Sequence, residues 1–166
     1  FAALRETVLT VFGPERKQKG LLPEIGYANA FIGNYLRMEL LLRRRRYEQV
    51  LREVRAYFGD MAERTGTLWE HDSPRGSLNH GFASYVGVVL VRCLLGVQHI
   101  DVRSRRVVLD FSDAPVAAKG TVGTPLGDIV VTRTVEGNAV AIRYRVPEAY
   151  DIELCPTPDA VSAERN

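Results

Sequence analysis

The sequence predicts an α+β fold by segments, helical hairpins first and a small antiparallel β-sandwich-like domain after them. Three observations carry this. Apolar residues recur at helical spacing as far as about Gly96. Within that region, helices apolar on nearly every side alternate with helices bearing one stripe. After Gly96 the period drops to two. The expected division is a helical part over residues 1–98, a β-domain over 99–155 and a flexible tail over 156–166, with the boundary near Gln98 to Ser104.

The first helix is read from Phe1, Leu4, Val8 and Val11, and Gly13-Pro14 stops it. Phe1 is not an initiator methionine and the opening residues resemble mid-helix sequence, so the chain reads as a truncated one. A polar loop is expected from Glu15 to Gly20. Helical sequence resumes after Pro23 and runs to Arg45, with Ala28, Phe31, Tyr35 and Met38 on one side and Ile32, Leu36 and Leu40 on another. Tyr47 to Phe58 carries a single stripe of Val50, Leu51, Val54 and Phe58, while Glu48, Arg52, Glu53 and Arg55 face away. Gly81 to Leu95 is apolar nearly all round, through Phe82, Tyr85, Val86, Val89, Leu90 and Leu94. A helix that is hydrophobic on every side is buried on every side, and a one-striped helix lies on the surface. The order outer, inner, outer, inner is that of a double-layered ring of helical hairpins.

Beyond Gly96, Val107, Leu109 and Phe111 alternate with Val108 and Asp110. Val140, Ile142, Tyr144 and Val146 alternate with Ala141, Arg143 and Arg145, and Tyr150, Ile152 and Leu154 with Asp151 and Glu153. Glu136-Gly137-Asn138 reads as a turn between two such runs. One apolar face per strand predicts an antiparallel sheet packed on something. The tail from Pro156 is polar and proline-bearing, which predicts disorder.

Charge and cysteine content exclude some function classes. The 166 residues carry a net charge of +2, with basic and acidic residues interleaved, so nothing argues for nucleic acid. The one basic run, Arg43 to Arg46, is placed to close a helix, where cations meet the negative end of the dipole. No stretch is long and clean enough to cross a bilayer. Cys93 and Cys155 have no metal-ligand spacing and read as free, inert thiols. No cofactor is implied, and the compartment is left open.

The chemistry is concentrated in Gly66 to Gly81. This stretch is a loop by its Gly, Pro and Ser content, yet holds the only tryptophan, Trp69, and two of the three histidines, His71 and His80, together with Glu70, Asp72 and Arg75. Between an outer and an inner helix, it would lie at the rim of the ring. There a sugar could stack on Trp69 while Glu70 and Asp72 act as acid, base or hydroxyl acceptor, since glycoside hydrolysis needs two carboxyl groups. Plainer readings stand beside these. Trp69 could cap a core, His71 and Asp72 could form a surface pair, Asn79 could cap the next helix, and Arg75 could pair with Asp72. A zinc site from His71, His80 and an acid matches no standard ligand spacing.

Thr67-Leu68-Trp69-Glu70, followed by Ser77-Leu78-Asn79-His80-Gly81-Phe82-Ala83-Ser84-Tyr85, resembles the end of the catalytic domain in the bacterial α-L-rhamnosidases of glycoside hydrolase family 78. Members of that family typically carry Thr-(Leu/Ile)-Trp-Glu and, further on, Ser-x-Asn-His. Arg106 to Phe111 and Lys119-Gly120-Thr121-Val122-Gly123-Thr124-Pro125-Leu126-Gly127 resemble its closing β-domain. The similarity runs roughly from Gly26 to Leu154. The chain departs from the family at His71-Asp72 and Gly81, which marks a divergent branch. The resemblance implies the C-terminal helices of an (α/α)6 six-hairpin barrel and hydrolysis of terminal α-L-rhamnosides with inversion. It makes Glu70 the general base and His80 a sugar contact, with Trp69, Asp72 and Asn79 as further substrate-binding candidates. The general acid is expected from an upstream part of the same enzyme, and the piece alone is expected to be inactive. The alternatives are another six-hairpin glycosidase with a different sugar, or a non-catalytic carbohydrate-binding or interaction fragment.

Overall fold

The computed structural model describes residues 2–26, 29 and 32–166; Phe1, Ala28 and Phe31, assigned above to helix faces, lie outside the described residues. The chain divides into two compact units, Phe1–Val86 and Gly87–Asn166.

In the first unit, α1 (Ala2–Thr10), α2 (Glu15–Gln18) and α3 (Gly33–Arg43) are followed by α4 (Tyr47–Val54). A π-helical turn (Arg55–Gly59) leads from α4 into α5 (Asp60–Thr65). A long irregular loop then reaches a 3₁₀ helix, Gly81–Tyr85; α6 (Val86–Leu90) and the π-helical turn that follows it, Val91–Leu95, fall in the second unit from Gly87 onward. The (α/α)6 expectation is corrected here. The longest helix among the described residues has 11 residues, and the segment read as one buried inner helix is broken into 3₁₀, α and π pieces. Phe82, expected inside, is 76% exposed. The polar loop expected at Glu15–Gly20 contains the single turn of α2.

Two buried arginines knit this unit. Arg37 of α3 meets Glu53 of α4 through Nε (2.5 Å) and Nη2 (2.7 Å), and donates to the carbonyls of Val8 (2.7 Å) and Leu9 (3.1 Å) at the end of α1. Glu53, read from sequence as outward-facing, is therefore buried, and Gln49 bonds its Oε1 as well (2.8 Å). A charge is tolerated inside only when paired and hydrogen-bonded, and this one is both. Arg16 is likewise buried. It donates to the carbonyls of Leu22, Ile25 and Gly26, which gives the segment after α2 its shape.

The second unit is built on β1 (Val97–Asp101), β2 (Arg106–Leu109), β3 (Ala118–Val122), β4 (Ile129–Glu136), β5 (Ala139–Arg145), β6 (Asp151–Leu154) and β7 (Val161–Arg165). They form a three-stranded sheet in the order β1-β2-β6 and a four-stranded sheet in the order β3-β4-β5-β7. Both sheets are mixed, because β6 runs parallel to β2 and β7 parallel to β5, so the antiparallel expectation is corrected too. The segment expected to be a disordered tail contributes β7. Alternation holds where it was read most clearly: Val140, Ile142, Tyr144 and Val146 all enter a core with Val107, Leu109, Phe111, Ile129 and Val131. The turn at Gly137-Asn138 joins β4 to β5, with Gly137 at φ +58°.

At the entrance to β1, Gly96 ends the π-helical turn at φ +70°. A Cβ there would lie 2.9 Å from the Asp110 carbonyl oxygen and 2.5 Å from the Phe111 ring, so both conformation and space require glycine. Arg133, fully buried on β4, donates to the carbonyls of Ala114 and Val116 and holds the approach to β3.

Candidate functional site

The stretch from Gly66 to His80 folds back on itself, and this is what places its side chains. Gly66 closes α5 in the left-handed conformation, and its N–H donates to the Ala62 carbonyl (2.8 Å). From there the two motif segments run against each other. The His80 N–H donates to the Leu68 carbonyl (2.8 Å), the Glu70 N–H to the Ser77 carbonyl (2.9 Å) and the Thr67 hydroxyl to the Leu78 carbonyl (2.5 Å). Residues seven to twelve apart in sequence are thus tied as partners, with residues 71–76 forming the tip.

Glu70 stands at the neck of that tip. Its Oε2 accepts the Ser77 N–H at 3.2 Å, so Ser77 bonds Glu70 both as backbone acceptor and as backbone donor. Its Oε1 lies 3.7 Å from His71 Nε2, and the side chain is 29% exposed. Gly76 makes room for it: at φ +72°, a Cβ on residue 76 would come within 2.8 Å of Glu70 Oε2. The carboxylate is therefore fixed through one oxygen by the backbone and still reaches solvent.

Trp69 is not the platform that the sequence offered. It is 1% exposed, with its N–H donated to Met61 Sδ (3.4 Å) and its Nε1–H to the Thr65 hydroxyl (2.8 Å). The Arg64 guanidinium lies 4.8 Å from its ring centroid. No ring face is left for a sugar, so of its two readings the core one is realised. Thr65 also meets the Thr67 hydroxyl (2.7 Å), which joins the end of α5 to the start of the first motif.

Asp72 takes Lys17 of α2 as its partner (2.8 Å), rather than His71 or Arg75. Its charge also bears on Tyr57: burial, first, and Asp72, second, push the Tyr57 phenol above its ordinary value. Tyr85 is pushed up in the same way, by burial and then by Tyr57. Asn79 is exposed and does not cap the following helix, where His80 is the N-cap residue and no side chain performs the capping. His80 is half-buried, its ring 5.9 Å from that of Phe82. The loop thus brings Glu70, His71, Asn79 and His80 together on one folded ribbon, while Trp69 is withdrawn into the core and Asp72 into an ion pair.

The sequence reading missed Lys17, Thr65 and Gly76. For Gly76 a signal was present: a glycine just before the second motif, in a tip of Ser, Pro and Arg, marks a left-handed turn. Lys17 lies 55 residues from its partner and carries no local signal. Among the described residues no group of three or more His, Cys, Asp or Glu side chains could hold a metal ion, and no helix is long and apolar enough to cross a membrane. No family model, no curated protein and no solved structure matches the chain.

Proposed function

We propose that this chain supplies the general base of an inverting glycoside hydrolase that removes terminal α-L-rhamnose, with Glu70 as the base. The observation that carries the reading is the setting of Glu70, anchored at Oε2 by the Ser77 N–H on a ribbon that pairs the two motif segments, with the side chain still partly exposed. A base must be held in position and must reach water, and this carboxylate does both. In an inverting reaction the water sits between base and sugar. The second carboxyl group, the acid, then stands about 6.5–9.5 Å away. Under this proposal the acid comes from another segment of polypeptide that faces the loop. Asn79 and His80 are the candidates for bonding sugar hydroxyls, and Trp69 supports the base from behind instead of stacking on the substrate. The sugar itself is assigned from the two motifs.

The test is the release of nitrophenol from the aryl α-L-rhamnoside by the natural polypeptide that carries this sequence. Glu70→Gln is expected to lower kcat by about 10²–10⁴-fold, with KM little changed and the circular dichroism spectrum retained. The first sugar product seen by proton NMR should have the inverted anomeric configuration. An undiminished rate in Glu70→Gln removes Glu70 from the reaction. Cleavage of a different aryl glycoside, with the rhamnoside untouched, removes the sugar assignment but keeps the base.

A further inference from the structure

The eleven residues of α3 separate into two faces. Asn34, Arg37, Met38, Leu41 and Leu42 point inward and are buried. At 100° per residue the opposite face carries Tyr35, Leu36, Glu39 and Arg43, and the N-cap residue Ile32 falls in line with them. Ile32 is 56% and Leu36 60% exposed, and Tyr35 is more than two-fifths exposed. The patch continues beyond the helix. Tyr35 packs edge-on against Tyr85 (ring centroids 5.2 Å apart), and Phe82 lies three residues before Tyr85 in a 3₁₀ helix, where such residues eclipse each other. The exposed apolar area is on the order of 400 Å², the size of the largest apolar patch on a typical monomer, and such patches are often functional. Beyond the partly buried Glu39, which has an interaction of its own, the carboxyl end is basic: Arg43 is two turns beyond Leu36 on the same stripe, and Arg44 follows it, both exposed.

We propose that this face of α3 docks an amphipathic helix of another polypeptide, lying antiparallel to α3 and carrying acidic residues in its first turn. The apolar anchors at positions 32, 35 and 36 match the i, i+3, i+4 spacing that a helix reads in a partner helix. Charge complementarity sets the direction. An antiparallel partner brings its N-terminus beside Arg43 and Arg44, where acidic side chains meet the guanidinium groups and also favour the partner's own dipole. A parallel partner would set its C-terminal carbonyls there and place its first-turn acids far from either arginine. This inference does not depend on the reaction proposed for Glu70.

The experiment uses the whole chain and a fluorescein-labelled synthetic helix with leucines at i, i+3, i+4 and i+7 and three glutamates in its first turn. A second peptide has three lysines in their place. Fluorescence anisotropy is expected to show the glutamate peptide binding at least tenfold more tightly at 150 mM salt. Leu36→Ser is expected to weaken it at least tenfold, and Arg43→Glu to reverse the preference between the peptides. Both substitutions are at exposed positions, and circular dichroism checks that each variant folds. Equal binding of the two peptides, or binding indifferent to Leu36→Ser and Arg43→Glu, overturns the proposal. A concentration-dependent dimer in sedimentation that Leu36→Ser abolishes also overturns it, because the occupant is then a second copy of this chain.

Discussion

Gly76→Ala tests the geometry of the Glu70 loop without touching any group assigned to chemistry. Two costs follow from the structure. Residue 76 is at φ +72°, where a non-glycine residue is strained by about 1–2 kcal/mol. The new Cβ would also stand 2.8 Å from Glu70 Oε2, so the carboxylate must swing away and release the Ser77 N–H. That bond, to a charged but partly exposed acceptor, is worth about 1 kcal/mol. The total expected loss is about 2–3 kcal/mol, read as a lower urea midpoint at unchanged m-value.

A double-mutant cycle separates the two costs. In a Glu70→Ala background there is no carboxylate to displace and no bond to lose, so Gly76→Ala should then cost only the backbone strain, about 1–2 kcal/mol. The coupling between positions 70 and 76 is expected at about 1 kcal/mol. Additive effects within about 0.3 kcal/mol would show that Glu70 does not occupy the space above Gly76, and the anchored carboxylate would go with it.

Three further outcomes test other parts of the chain. Arg37→Met strands Glu53 in the interior and is expected to cost about 3–5 kcal/mol, whereas the double replacement Arg37→Met/Glu53→Met should recover most of that loss in the same urea assay. Cys93 is fully buried and its thiol is pushed up to about 12 by burial, so the thiolate population at pH 7.5 is negligible. Mass spectrometry after iodoacetamide treatment should find Cys155 modified and Cys93 intact, and labelling of Cys93 should begin only when urea unfolds the second unit. Gly120→Ala would set a Cβ 2.5 Å from Leu95 Cδ1 and is expected to lower thermal stability by about 1–3 kcal/mol through overpacking.

Much of the second unit was legible because a strand reports its faces residue by residue. The run from Val140 to Val146 needs no distant partner to reveal which side is inward, and the Gly137-Asn138 turn is equally local. β7 was not legible. Its sequence has one buried apolar residue, Val161, set opposite Val140, with only Ala163 also packed against the core, and the strand is otherwise held by backbone bonds to β5 that composition does not disclose. In the first unit, apolar residues all round a segment signalled burial on every side, but burial needs neighbours as well as apolar side chains. Phe82 and Leu36 have the composition of interior residues and lie exposed. Glu53 erred in the other direction. A charged residue is read as outward by default, and only Arg37, sixteen residues earlier, explains why it is inside.

The candidate site shows the same division between local and distant information, and it alters what Trp69 contributes. A tryptophan beside a glutamate in a loop suggests a sugar platform. Here the indole is buried, held at Nε1 by Thr65 and covered by Arg64. A residue immobilised in this way fixes the backbone of its neighbour, and that neighbour is Glu70, whose own N–H is fixed on Ser77. Glu70 is thereby supported on both sides: by a buried aromatic anchor before it and by a paired strand of loop opposite it. Catalytic groups lose efficiency when their supporting shell is loose by about 1 Å, so under the proposed function a buried Trp69 serves a water-facing Glu70 better than an exposed one would. Under the proposed function, the motif's tryptophan and glutamate form one unit, in which the first residue positions and the second is the base.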